Sequence, residues 1–169
     1  MKAIIKTTVA SLAICAMTGQ AFAAEVCARP NEALALKTAA IQQELMVAAL
    51  YCNDVRPYNH FVIGYRQELQ QSDATLLNYF TRVQGSRGDA GYNAYKTTLA
   101  NDFSRDGSRQ SESFCAAADV VFERSSNGNL SLREFVSAQS VGGMADYPVC
   151  DERSGSTEIV RGGSSGGGE

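Results

Sequence analysis

The stretch that most limits how this chain can fold is Glu32 to Cys52, EALALKTAAIQQELMVAALYC, which contains neither glycine nor proline. Within it Leu34, Thr38, Ile41, Leu45, Ala48 and Cys52 recur at steps of three and four residues, the period of one helical face. Nearly every residue is a good helix former, so the segment predicts a rod of roughly 30 Å, long enough to span a small domain. Pro30 and Asn31 suit the start of a helix, and Asn53-Asp54 suit its end. A rod of this length needs other segments packed along it.

The first 23 residues, MKAIIKTTVASLAICAMTGQAFA, place two lysines before an apolar run and close on Ala21-Phe22-Ala23, a small-x-small cleavage pattern. They read as a secretory signal peptide. A lipid anchor at Cys15 is the competing reading, but the bulky Ile14 stands where a small residue is required. Cleavage after Ala23 leaves 146 residues, enough for one domain. It also leaves 13 basic residues against 18 acidic ones, a net charge of −5. That balance argues against nucleic acid and against an anionic membrane surface. Four cysteines remain, Cys27, Cys52, Cys115 and Cys150, and in an exported chain they predict two disulfides. None forms a C-x-x-C pair, so neither a redox motif nor zinc spacing is present.

Along the rest of the chain the helical period returns. Asp54 can cap a second helix carrying Pro57 in its first turn, with Val55, Tyr58, Val62, Tyr65 and Leu69 on one face. The face continues through Leu76, Phe80 and Val83, so a single, bent helix from about Val55 to Gln84 is favoured over a second start at Ser72-Asp73. Gly64 inside it suggests close approach to the first helix. A third helix is expected from about Ala90 to Ser104, closed by Arg105-Asp106-Gly107-Ser108, and a fourth from about Ser111 to Arg124. Ser131 and Glu134 form a capping box that opens a short fifth helix. Val141 to Cys150 is expected to be held by a disulfide at Cys150. Residues 151–169, nearly all Gly, Ser and charge, predict a disordered tail. The expectation is an all-α, disulfide-stapled bundle of four to five helices over 24–150.

The run CARPNEALALKTAAIQQELMVAALYCNDVRPYNHFVIGYRQELQ, followed by YNAYKTTLAND, resembles a group of small, uncharacterised exported proteins of Gram-negative bacteria. The resemblance covers roughly sixty per cent of the mature chain, as a plain residue count. It implies export and a helical fold and brings no activity, ligand or catalytic residue.

Few residues suggest chemistry. The loop at 123–134 can be laid on a calcium-binding EF-hand loop, with Glu123, Ser125, Asn127, Asn129, Ser131 and Glu134 as ligands and Gly128 at the turn. Glu123 stands where Asp is expected, two arginines, Arg124 and Arg133, oppose two carboxylates, and no second loop accompanies it. A helix stop followed by a capping box explains the same residues without metal. His60 is the only histidine, which removes histidine-based triads and multi-histidine zinc sites. No G-x-S-x-G occurs, and no helix follows the glycines after Gly162 to make a phosphate cradle. Glu44, Glu68, Asp73 and Asp102 are the carboxylates an acid–base pair would draw on. Tyr51, Tyr58, Tyr65, Tyr79, Tyr92 and Tyr95, with Phe61, Phe80 and Phe103, concentrate aromatics in the first three predicted helices. They are expected mainly in the core, with an interface as the functional alternative.

These features favour a periplasmic or secreted helical module that works by binding, its partner another envelope or secreted protein, with no cofactor and no catalytic residue assigned. A small hydrolase using surface carboxylates is the alternative, and a weak calcium-binding module the third reading. For the disulfides, distance narrows the choice. A lead of five residues reaches about 17 Å and cannot double back along a 30 Å helix, which removes Cys27–Cys52. Cys52–Cys115 with Cys27–Cys150 is preferred, and Cys27–Cys115 with Cys52–Cys150 stays open.

Overall fold

A computed structural model describes residues 26–126, 129–141, 147–150 and the backbone of 157–158. The expected signal peptide at 1–23, and the expected tail at 151–169 apart from 157–158, lie outside the described residues. The order is α1 (Pro30–Tyr51), α2 (Arg56–Gly64), α3 (Arg66–Gln84), a 3-10 turn (Gly85–Arg87), α4 (Gly88–Arg109), α5 (Ser111–Ser126) and α6 (Leu132–Ala138). A two-residue strand β1 (Val149–Cys150) pairs antiparallel with β2 (Thr157–Glu158). The fold is the expected all-α bundle, closed by Cys27–Cys150 and Cys52–Cys115, the preferred pairing. Such bonds belong to an oxidising compartment outside the cytoplasm. Among the described residues no helix is long and apolar enough to cross a membrane.

α1 is a partition rather than a one-sided amphipathic helix. Ile41, Leu45, Ala48 and Ala49 face a core built with Phe61 and Tyr65, Phe122 of α5 and Phe135 of α6. Ala35, Leu36, Ala39, Ala40 and Val47 face a second core with Leu76, Tyr79 and Phe80 of α3 and Tyr95, Leu99 and Phe103 of α4. A helix buried on both sides must be apolar on both sides, and the second face is made largely of alanine, whose small side chain lets helices approach closely.

The expected single helix over 55–84 is two helices, and the break falls at Tyr65, not at Ser72. Tyr65 leaves helical geometry at φ −103° and ψ 17°. Its ring is buried beside Phe61 and stacked on Phe135, and its hydroxyl reaches Ser125 O at 3.4 Å. Tertiary packing of that ring sets the bend. Gly64 is exposed, with open space where a Cβ would be, so its expected close approach to α1 is not found. Close approach occurs at other glycines, most tightly against backbone at Gly88, where a Cβ would lie 2.6 Å from Thr81 Cα of α3. α3 ends at Gly85, whose φ of 59° suits glycine. α4 runs through Gly107 to Arg109 instead of stopping near Ser104, because Gly107 is buried against the Phe114 and Tyr51 rings.

The N-terminal arm is fixed by one carboxylate. Glu32, in the first turn of α1, accepts the Arg29 N–H at 2.8 Å and the Arg82 Nε–H at 2.9 Å, and Arg82 Nη2 closes the ion pair on the second carboxylate oxygen. Arg82 also donates to Cys27 O at 2.9 Å and lies over the Tyr79 ring, whose hydroxyl reaches Val26 O at 3.3 Å. Burial works to raise the Glu32 pKa, but the hydrogen bonds from Arg82 and Arg29 outweigh it and hold the carboxyl below its usual value. Ala28 then forms a parallel bridge with Val149, through Ala28 N–H to Pro148 O at 2.7 Å and Cys150 N–H to Ala28 O at 2.9 Å. The Cys150 disulfide therefore shares the work of holding residues 147–150 with the bridge and with Tyr147, which packs on Tyr79, Phe80 and Tyr95; residues 142–146 of the expected segment lie outside the described residues.

Arg82→Met should destabilise the protein by about 3 kcal/mol at pH 7, since it strands a buried carboxylate. The loss should shrink at pH 4, where a protonated Glu32 lies buried at less expense. Urea denaturation at the two pH values measures both; an equal loss at each would mean that Glu32 is not the partner that matters.

Candidate functional site

The four carboxylates singled out by sequence do not converge. Glu68 on α3 accepts the Leu132 N–H at 2.8 Å, satisfying an otherwise unpaired donor at the start of α6. Asp73 takes the Tyr92 hydroxyl at 2.7 and 2.8 Å and Lys96 Nζ at 3.0 Å, and Lys96 donates to the Tyr92 oxygen at 2.9 Å, a brace joining α3 to α4. Asp102 is ion-paired with Arg105 one turn along α4. Each of these three is occupied by a structural task.

Glu44 differs. It is half-buried on α1 and makes no hydrogen bond or ion pair among the described residues. Burial, with the Asp106 carboxylate of α4 adding to it, pushes its pKa up to about 7. A carboxyl poised there can exchange a proton near neutrality, as a general acid or base must. No nucleophile or second acid–base group is hydrogen-bonded to it, so the proton has no reacting partner within the described residues.

The loop at 123–134 is largely committed to capping. Glu123 and Ser125 lie within α5, and the buried Ser125 hydroxyl donates to Phe122 O at 2.7 Å. Ser131 and Glu134 form the expected capping box: the Glu134 carboxylate accepts the Ser131 N–H at 2.9 Å and its hydroxyl at 2.7 Å. These bonds hold the Glu134 carboxyl below its usual range. Asn127 and Gly128 lie outside the described residues. Among the described residues no three of His, Cys, Asp and Glu gather as metal ligands would. His60 is exposed on α2.

The aromatic residues divide by environment. Tyr65, Tyr79 and Tyr95 are core, as are Phe61, Phe80 and Phe103, while Tyr58 and Tyr92 are half-buried and Tyr51 is exposed. Tyr147 was absent from the sequence expectation. Its ring stands edge-on to Tyr95 at 5.2 Å and to Phe80 at 6.2 Å, and with them it walls a cavity of about 420 Å³ between the end of α3, the 3-10 turn and the first half of α4. One signal points to it: Tyr147 is the sole aromatic in Val141–Cys150, three residues before the cysteine whose preferred partner by sequence is Cys27. A more polar cleft of about 300 Å³ lies between α1, α3 and α6, lined by Thr38, Glu68, Gln71, Ser72 and Arg133.

Comparison with protein-family models, with curated proteins and with solved structures finds no match to this chain.

Two outcomes follow from this geometry. The folded chain holds the Glu44 proton more tightly than the unfolded chain, whose carboxyl titrates near 4.5. The stability it contributes is complete below pH 4.5 and lost as pH rises through about 7. Glu44→Gln should flatten that limb and raise stability at pH 8, by up to about 3 kcal/mol; thermal melts from pH 4 to 8 read it. Glu134→Ala should lower the melting temperature equally with and without millimolar calcium, because it removes a cap. A melting temperature that calcium raises in the parent but not in the variant would make the loop a metal site.

Proposed function

We propose that this protein is a periplasmic or secreted binding module that docks another envelope or secreted protein through the turn after α1. One observation carries the reading. Leu50, Tyr51 and Val55, 68, 43 and 47 % exposed, lie within six residues around a turn that Cys52–Cys115 anchors to α5. Large apolar and aromatic side chains presented from a rigid site match the anchors of protein interfaces, because little conformational entropy is lost when they are covered. Ile63, 65 % exposed on α2, adds a further apolar side chain to this half of the molecule. The two disulfides support an extracytoplasmic location, and the N-terminal pattern of charge, apolar run and Ala21-Phe22-Ala23 supports export.

The hydrolase reading keeps one residue, Glu44, whose pKa near 7 suits acid–base work. Capture from periplasmic extract or culture medium separates the two. The parent should retain a partner that Leu50→Asp and Val55→Asp variants lose while keeping helical content and both disulfides. A partner held equally by the variants, or a turnover that Glu44→Gln abolishes in a folded protein, would overturn the docking reading.

A further inference from the structure

We infer that the cavity between α3, α4 and Tyr147 is a binding site for a small amphipathic acid, a flat apolar body of one or two rings bearing a carboxylate. It lies beside the N-terminal half of α1, where Tyr95 hydrogen-bonds Leu36 O, and so stands apart from the apolar turn at the other end of that helix. The two proposals are independent.

The volume, about 420 Å³, falls within the range of small-ligand pockets. One wall is aromatic. Phe80 and Tyr95 are buried with their centroids 5.7 Å apart, and Tyr147 meets both nearly at right angles, at 88° and 86°. The Tyr95 hydroxyl is engaged by Leu36 O at 2.9 Å, so Tyr95 offers the cavity its ring rather than a polar group. The α4 wall carries Ala90, Gly91 and Ala94, side chains too short to fill the space. Gly91 has a further effect: a Cβ there would collide with the Gln84 amide, so glycine lets that amide lie across α4 at the edge of the cavity.

The sign of the ligand's charge follows from the two charged side chains that, among the described residues, line the space. Asp102 is neutralised by Arg105. Arg87, in the 3-10 turn, is exposed and makes no hydrogen bond or ion pair among the described residues. Among the described residues the cavity therefore presents a largely apolar surface and one unmatched guanidinium, the group best suited to grip a carboxylate through paired N–H donors. A cation held against the rings would meet Arg87 as a like charge.

The test titrates the full oxidised protein with 4-phenylbutanoate, its neutral amide and 4-phenylbutylamine, followed by amide NMR shifts. Saturable shifts at Ala90, Ala94 and Thr98 are expected, with the acid binding about tenfold tighter than the amide, the size of one charge-assisted hydrogen bond. Arg87→Gln should erase that preference and leave the amide's affinity unchanged. Ala94→Leu, at an exposed helical position, should abolish binding of all three without altering the melting temperature. Shifts scattered away from α4, equal binding of acid and amide by the parent, or tightest binding by the amine would each overturn the assignment.

Discussion

A single carboxylate, Glu32, decides where the N-terminal arm goes, and much of the structure depends on where that arm goes. By accepting the Arg29 N–H it begins α1, and by pairing with Arg82 it fixes the start of α1 to the end of α3. Arg82 then grips Cys27 O, which puts Cys27 where Cys150 can reach it. The residues just before Cys150 follow, and with them Tyr147 and the wall it supplies to the cavity. A buried pair of this kind adds little net stability over an apolar substitute, because both charges must be desolvated. Its effect here is positional: it ties the arm, the start of α1 and the end of α3 to one another.

Two cores separated by one helix follow from the composition of α1. On the side of α2, α5 and α6 the rod offers Ile41 and Leu45, large side chains that interlock with Phe61 and Phe135. On the side of α3 and α4 it offers alanines, and the volume is supplied by the neighbours' Tyr79, Phe80, Tyr95 and Phe103. The two proposed surfaces lie in different parts of this arrangement. The cavity lies on the side where α4 also carries short side chains. The exposed apolar turn lies at the end where α1 stops and Cys52 is pinned to α5.

Much of this fold could be read from the chain because its signals are local. Proline and the capping residues mark where α1 and α6 begin, Asn53 takes the positive φ that ends α1, and the reach of a five-residue lead eliminated one disulfide pairing. What escaped was set by distant residues. The bend at Tyr65 is imposed by Phe135 and Ser125, some sixty to seventy positions away, while the local period continues through it. α4 passes Gly107 because aromatic rings from α1 and α5 cover that glycine, which by itself resembles a stop. The alanine face of α1 carries too little hydrophobicity to register as a second stripe. The cavity was least legible of all, since Phe80, Tyr95 and Tyr147 come from three separated segments and none carries a motif.

The clasp at Cys27 and Cys150 has a mechanical meaning. The disulfide, with the Ala28–Val149 bridge beside it, joins the residues just before α1 to the strand that follows α6. Tension applied between the stretches flanking these two cysteines runs through one covalent bond and bypasses every helix. Cut that bond and the same pull is transmitted first to the arm held by Glu32 and Arg82, and then to the bundle. A pull on those two stretches thus closes on the disulfide and leaves helices α1 to α6, between Cys27 and Cys150, unloaded.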